Sequence, residues 1–318
     1  MSYALLFPGQ GSQSVGMAHD FYQQHAEAKE VFEQADDVLG VALSKLCFEG
    51  PNEDLQLTAN TQPAILTASV AMLRVVEKVA GGLAPVAVAG HSLGEYSAHV
   101  AAGSLDFADA LRLVRRRGEL MQEAVPVGTG AMAAVIGLDE AALRAVVEEV
   151  DGEGDEVVAV ANLNSPGQIV IAGHAGAVER AAARAKGAGA RMAKMLPVSA
   201  PFHSPLMAPA RSGLEPMLES TTFQDPSTPV VVNIDAAPVS SGAEARNALA
   251  RQIDGPVRWI ESIEAMRRDG DSLRADLFVE IGPGKVLTGL GKRIDRSARW
   301  LTSPAADAVD SWVGELAS

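Results

Sequence analysis

The segment Gly90-His91-Ser92-Leu93-Gly94 is the tightest constraint on how this chain can fold. It follows the apolar run 86–89 and precedes a small-residue stretch at 95–102. A strand that turns straight into a helix holds its central serine in a strained backbone geometry, and side chains two residues away on either side would crowd the turn. Glycine at both places is what such a turn requires. The hydroxyl is then displayed at the tip of a sheet, over a helix N-terminus that stabilises negative charge. The five-residue pattern is weak by itself. The strand before it and the helix after it make Ser92 a candidate nucleophile.

A chain of 318 residues that is 47% hydrophobic can bury a large core, as one large domain or one domain with an insert. The run 4–7 has no basic segment before it, so a secretory signal is not expected, and no stretch approaches a membrane span. The cytoplasm is the expected location. The single cysteine, Cys47, cannot form an internal disulfide and has no basic partner beside it, so it is read as a buried hydrophobe. A net charge of −14 argues against nucleic acid as a partner. Any acidic partner would need a local basic patch.

Strand-like and helix-like segments alternate through the first 125 residues: a strand at 4–7, helices at 20–39 and 62–79, a strand at 86–89, then two more helices. This is the α/β rhythm. Between 131 and 198 the order becomes strand 131–136, helix 140–150, strands 157–161 and 168–172, helix 175–186 and strand 191–197. That is the βαββαβ order of a ferredoxin-like unit, with Asn164-Ser165-Pro166-Gly167 as its hairpin turn. The α/β pattern resumes with strands at 230–234 and 277–281 and helices at 243–253, 260–268 and from 286. The expected architecture is an α/β-hydrolase-like domain with a parallel sheet and a nucleophile elbow, 1–127 and 199–318, carrying a small ferredoxin-like insert, 128–198.

An activated serine needs a base, and there are six histidines. His19 and His25 fall on a polar N-terminal helix, His99 sits one turn past the elbow, His174 ends a strand of the small unit, and His91 lies beside Ser92. His203, in Ser199-Ala200-Pro201-Phe202-His203-Ser204, falls where the chain crosses back from the insert. Clefts form at domain junctions, so His203 is the candidate base. No carboxylate occupies a third triad position, and a backbone carbonyl is expected to orient the imidazole. The oxyanion donors would be the Leu93 N–H and, from the loop Phe7-Pro8-Gly9-Gln10-Gly11-Ser12-Gln13, the Gln10 N–H. A dinucleotide fingerprint fails there, because Ser14 stands where the third glycine belongs.

In 107–121, Phe107, Ala110, Leu111, Val114, Gly118 and Met121 form one apolar stripe, and Arg117 falls inside it while Arg115 and Arg116 point elsewhere. A guanidinium facing the interior costs several kcal/mol unless an anion pairs with it. Either a buried acid or a substrate carboxylate held bidentately would serve. No metal ligand set stands out.

Several motifs in order then carry a resemblance. Phe-Pro-Gly-Gln-Gly-Ser-Gln at 7–13, Gly-His-Ser-Leu-Gly-Glu-Tyr at 90–96, Arg117-Gly118 with Met121-Gln122, Asn162-Leu163-Asn164-Ser165-Pro166-Gly167-Gln168, Pro201-Phe202-His203-Ser204, Pro256-Val257-Arg258-Trp259 and Ile281-Gly282-Pro283-Gly284 together resemble the malonyl-CoA:acyl carrier protein transacylase family of fatty acid and polyketide synthesis. The resemblance implies Ser92 as nucleophile, His203 as base, Arg117 as clamp for the malonyl carboxylate, and Gln10 and Leu93 as the oxyanion hole. It further implies His91, Phe202 and Asn162 at the substrate and Gln252 orienting His203 through its carbonyl. Leu93 and Phe202 match the malonyl pattern, and a bulky Phe resists an α-methyl branch.

The implied substrates are malonyl-CoA and the phosphopantetheine thiol of an acyl carrier protein met transiently, with no tightly bound cofactor and a monomeric enzyme. Carrier proteins are acidic as a class. Lys186, Arg191 and Lys194 on the small unit and Lys285, Lys292 and Arg293 near the C-terminal helix are candidates to meet one. The rival readings are a serine thioesterase or hydrolase on the same elbow, and a non-catalytic scaffold. One departure is the charged loop 267–275, longer than the resemblance leads one to expect, whose Gly270-Asp271-Ser272-Leu273 mimics both a carrier attachment site and a lipase motif.

Overall fold

Continuous rather than alternating apolar runs mark strands covered on both faces. Such runs build the larger of two sheets in the computed structural model, which describes residues 2–198, 200–268, 270 and 272–317. Its strands are β1 (Tyr3–Phe7) and β2 (Ala87–Gly90), with β7 (Val230–Val232), β8 (Ala237–Val239), β9 (Leu277–Glu280) and β10 (Arg299–Thr302) from the second half of the chain. The order is β10-β9-β1-β2-β7-β8, parallel throughout except for the antiparallel edge strand β8. The strands β3 (Gly130–Ile136), β4 (Val158–Ser165), β5 (Gln168–His174) and β6 (Met192–Met195) form a separate antiparallel sheet, ordered β4-β5-β3-β6. With helices Glu140–Asp151 and Ala175–Gly187 on it, this is the ferredoxin-like arrangement, around its own core of Leu143, Val147, Ile169, Ile171 and Val178.

Register places the loops that matter. Phe7 pairs with Gly90, and the His91 N–H donates to the Phe7 carbonyl at 3.0 Å, so the loop after β1 lies beside the elbow. Ala89 pairs with Val231, and continuing that parallel register two residues brings Asn233 level with His91. The small sheet is stitched on where the Leu163 N–H donates to Val257 O at 2.9 Å and the Val257 N–H to Ala161 O at 2.8 Å.

Several elements differ from the sequence pattern. The N-terminal helix is two, His19–Gln24 and Ala26–Leu39, because His25 is extended at φ −128°. The strand expected to stop at 161 runs on to Ser165 through two register shifts, following Val257. The strand expected over 191–197 is only Met192–Met195. Helix Ala208–Ser220 escapes the pattern because Pro209 and Pro216 interrupt its composition, and the edge strand β8 contains Pro238. Helices Leu43–Glu49, Asn52–Gln56 and Val309–Ala317 and strand β10 were also not legible as periodic segments.

The elbow tolerates nothing larger than glycine at its flanks. A Cβ on Gly94 would overlap the Phe7 carbonyl, and one on Gly90 the Gly94 backbone. Gly94→Ala is expected to lower unfolding stability by roughly 2–4 kcal/mol, read as a lower urea midpoint at unchanged slope.

Candidate active site

Ser92 sits between β2 and helix Gly94–Ala101 with φ 52°. A non-glycine residue in this left-handed region costs on the order of 1–3 kcal/mol, so its surroundings must hold it. They do so at both ends of the residue. The Ser92 N–H donates to Asn233 Oδ1 at 2.7 Å, and the Ser92 carbonyl accepts from Gln252 Nε2 at 3.0 Å. Asn233 is completely buried; its Nδ2 donates to Gly90 O at 2.8 Å, and its own N–H donates to Glu95 Oε2 at 2.7 Å. Burial pushes the Glu95 carboxyl up to about 7, against hydrogen bonds that pull it down.

His203 also has a left-handed backbone, at φ 59°, and is buried. Its Nε2 lies 2.7 Å from Ser92 Oγ and its Nδ1 2.9 Å from the Gln252 carbonyl oxygen. A carbonyl only accepts, so the network assigns the proton to Nδ1 and leaves the Nε2 lone pair for the serine hydroxyl. No carboxylate among the described residues bonds to the imidazole. Burial, reinforced by the positive charge of Arg117, pushes the imidazole down from 6.5 to about 3.

Arg117 emerges from the buried stripe of helix Phe107–Glu123 and is 2% exposed. Its Nη1 donates to Gln62 Oε1 at 2.8 Å, and its Nη2 donates to Gln252 Oε1 at 3.0 Å and to Ser92 Oγ at 3.3 Å. Its guanidinium carbon stands 5.8 Å from the centre of the Tyr96 ring, and burial lowers its pKa. Of the two partners open at the sequence level, a buried acid is not the one in contact with it among the described residues. Arg115 and Arg116 instead pair with Glu119 on the outer face.

These groups share a cavity of about 200 Å³ between the two sheets. Gln10, Leu93, Arg117, Ser92 and His203 line it from the larger sheet, while Met132, Asn162 and Val170 close it from the smaller one. Leu196, Val198 and Phe202, on the returning chain, complete the apolar wall; Ser199 lies outside the described residues. Among the described residues the Gln10 and Leu93 backbone N–H groups donate to no acceptor, leaving both available to an incoming oxygen. His91 is half-buried at the rim, with Nε2 2.8 Å from Asn164 Oδ1 and its ring 5.5 Å from that of Trp259. Every site residue expected from the sequence except Gln252 lines the cavity, and Gln252 lies directly behind it.

The other histidines are elsewhere. His99 is buried with Nδ1 2.9 Å from Ser104 Oγ, His25 lies 2.9 Å from Ala306 O, His19 stacks on Phe48, and His174 Nδ1 accepts the Val157 N–H. The Cys47 thiol is buried and its pKa pushed up to about 12. Ser272 stands on an exposed turn away from the cavity, and Asp269 and Asp271 of that loop lie outside the described residues. Sequence reasoning missed Gln62, Glu95, Asn164 and Asn233. Gln62 carried a signal: it is a long polar side chain next to the mostly apolar run 63–73 of helix Thr58–Ala80, all of which is buried.

With this geometry in view, comparison with known proteins is direct. The acyl transferase domain family matches residues 4–308. The malonyl CoA-acyl carrier protein transacylase of Escherichia coli (strain K12) is 52% identical over 309 residues, covering 96% of this chain and 98% of that relative. The structure of the malonyl CoA-acyl carrier protein transacylase from Coxiella burnetii superposes with a TM-score of 0.95 at 43% identity, over 100% of this chain and 98% of that one. A malonyl-transacylase solved in complex with a type II PKS acyl-carrier protein superposes at 0.91 with 46% identity, over 98% of this chain and 99% of that one. A buried serine-histidine pair beside an arginine on an elbow thus coincides with full-length similarity: this chain is an acyltransferase and belongs to the acyl transferase family, among its malonyl CoA-acyl carrier protein transacylases.

Proposed function

We propose that this chain moves a malonyl group from CoA to the phosphopantetheine thiol of an acyl carrier protein through a malonyl-serine intermediate. The observation that carries the reading is a buried, still-cationic Arg117 within hydrogen-bond reach of Ser92 Oγ. An acyl group that reaches the serine from this cavity and ends in a carboxylate meets that cation; a neutral one leaves it unpaired.

The steps follow from the proton positions. Ser92 Oγ attacks the thioester carbonyl carbon as its proton passes to His203 Nε2, and the Gln10 and Leu93 N–H groups hold the oxyanion. Collapse breaks the carbon–sulfur bond, and the leaving CoA sulfur takes the proton back from His203. The carrier's thiol repeats the sequence in reverse and frees Ser92. The imidazolium formed midway is stabilised by the Gln252 carbonyl rather than by a carboxylate. CoA enters and leaves as substrate, and no tightly bound cofactor has a part in these steps.

Phe202, Met132 and Val170 make the acyl pocket narrow and apolar, which favours an unbranched malonyl chain. We read 128–198 as an inserted domain whose task is to wall that pocket, with 1–127 and 199–318 as the catalytic domain. The exposed Arg191 packs on Gly137, whose N–H donates to Gly167 O, and Arg293 donates to Gln168, so both cations flank the β4–β5 turn. With the exposed Lys186, Lys194, Lys285 and Lys292 they offer an acidic carrier protein a basic landing on an acidic enzyme. No helix among the described residues is long and apolar enough to cross a membrane, which is in keeping with a cytoplasmic enzyme.

Intact-protein mass spectrometry after mixing with malonyl-CoA tests the reading. A malonyl-mass adduct should form, persist in water and disappear on addition of phosphopantetheinylated carrier protein; an adduct lost equally fast without carrier would make the enzyme a hydrolase. Ser92→Ala should give no adduct. Arg117→Ala should reduce kcat/KM for malonyl loading about 100-fold more than for acetyl loading, as expected for loss of a buried charge contact.

The depressed His203 predicts a pH profile. Its imidazole is the neutral base throughout mildly acidic solution, so kcat/KM for serine loading should stay flat between pH 7 and about pH 5, with no inflection near 6.5. Stability has the opposite sensitivity. The folded pKa values of His99 and His203, both about 3, lie below the unfolded value of 6.5, so their contribution is complete above 6.5 and is lost as pH falls towards 3. Urea unfolding from pH 7 to pH 4 should show that decline, offset in part between 7 and 4.5 as Glu95, raised to about 7 on folding, takes up its proton.

A further inference from the structure

Arg117 is held in an unusual way for a buried cation. Among the described residues, both hydrogen-bond partners that anchor its terminal nitrogens from outside the elbow are carboxamide oxygens, Gln62 Oε1 and Gln252 Oε1, and its Nε has no partner. Glu95, the carboxyl whose field reaches Arg117, is turned to the Asn233 N–H instead. A carboxamide oxygen accepts from a guanidinium with the same geometry as a carboxylate oxygen but brings no net charge. The arginine is thus oriented without being neutralised.

The amide orientations are not interchangeable. Gln252 Nε2 donates to the Ser92 carbonyl at 3.0 Å and faces Asn233 Oδ1 at 3.4 Å, so its oxygen must face Arg117. That same Ser92 carbonyl belongs to the peptide whose other end is the Leu93 N–H. One side chain therefore fixes both the cation and an oxyanion donor, while its backbone carbonyl holds His203. Gln62 has looser demands: among the described residues its Nε2 meets only the Met121 sulfur, at 3.8 Å, so Arg117 dictates that the oxygen faces inward.

We propose that Gln62 and Gln252 are specificity-determining positioning residues, which fix Arg117 against Ser92 through neutral acceptors and so keep its whole charge for the terminal carboxylate of the acyl group. This deepens the malonyl-clamp reading and rests on it. A glutamate at either place would present the same oxygen to Arg117 and pair with it internally. An incoming carboxylate would then meet a neutralised pair and a like charge, whereas a neutral acyl group would meet no such penalty.

Gln62→Glu is the sharper test, because it gives up only the N–H contact to sulfur. Serine loading is followed by mass spectrometry with malonyl-CoA and acetyl-CoA, and acetyl loading reports that the site is folded. Gln62→Glu should lower the malonyl-to-acetyl ratio of kcat/KM about 100-fold, chiefly through KM for malonyl-CoA, with acetyl loading within about tenfold of the parent. Gln62→Met, of similar size but with no acceptor and no charge, should lower malonyl loading by less than about tenfold through looser positioning of Arg117 and leave acetyl loading little changed, so that the ratio falls far less than in Gln62→Glu. Gln62→Asp brings the same charge if the Glu variant does not load acetyl. An unchanged ratio in the carboxylate variants, or a shift as large in Gln62→Met, overturns the proposal. Arg117→Ala in the same assay separates the two levels: an unchanged ratio there means the clamp reading itself has failed, while a collapsed ratio there beside an unchanged one in Gln62→Glu means only the neutral cradle has.

Discussion

The burial of one guanidinium, Arg117, is the constraint on which the rest of the site depends. Removing a cation from water costs several kcal/mol, and it is tolerated only where donors find acceptors. Here the acceptors are Gln62 and Gln252, drawn from two helices remote in sequence, and the hydroxyl of Ser92 itself. Once that cation is fixed, its field helps keep His203 neutral and its hydrogen bond helps orient the serine oxygen. The electrostatics of His203, Ser92 and the cavity around them are therefore one problem with one solution.

Holding Ser92 in its left-handed conformation is the second demand, and it recruits the same neighbourhood. Asn233 binds the Ser92 N–H and the Gly90 carbonyl, so it bridges both sides of the turn, and Glu95 in turn fixes the Asn233 backbone. Gln252 binds the other end of the residue. Such strain persists only where the surroundings over-determine it. The outcome is a rigidly held Ser92–Leu93 peptide, since the carbonyl bound by Gln252 and the Leu93 N–H are ends of one planar unit.

The two sheets divide the work. The loops after β1, β2 and β7, which lie side by side in the parallel sheet, bring Gln10, Ser92 and Leu93 to the cavity with Asn233 bonded to Ser92, while Arg117 comes from helix Phe107–Glu123 and His203 from the returning chain. The antiparallel sheet adds Met132, Asn162 and Val170 from above. Met132 and Val170 give the cavity an apolar wall on that side.

How much of this was legible depends on the distance over which each residue acts. The elbow, the apolar stripe of helix Phe107–Glu123 and the βαββαβ order are local patterns: glycine sterics, a 3.6-residue period and turn chemistry write them into short segments. They were sufficient to single out Ser92, Leu93, Gln10 and Arg117 as candidates and to suggest His203, and the ordered motifs pointed to Gln252. Helix Ala208–Ser220 was hidden because its prolines contradict helical composition, while packing against helix Phe107–Glu123 sustains it. Tertiary structure alone decided that Arg117 meets amide oxygens rather than an acid, that Asn233 and Glu95 underpin the elbow, and that Gln252 serves three groups at once. Those contacts join residues dozens to more than a hundred positions apart, with no period or spacing to connect them. Only strand register and the closure of one sheet over the other bring them within bonding distance.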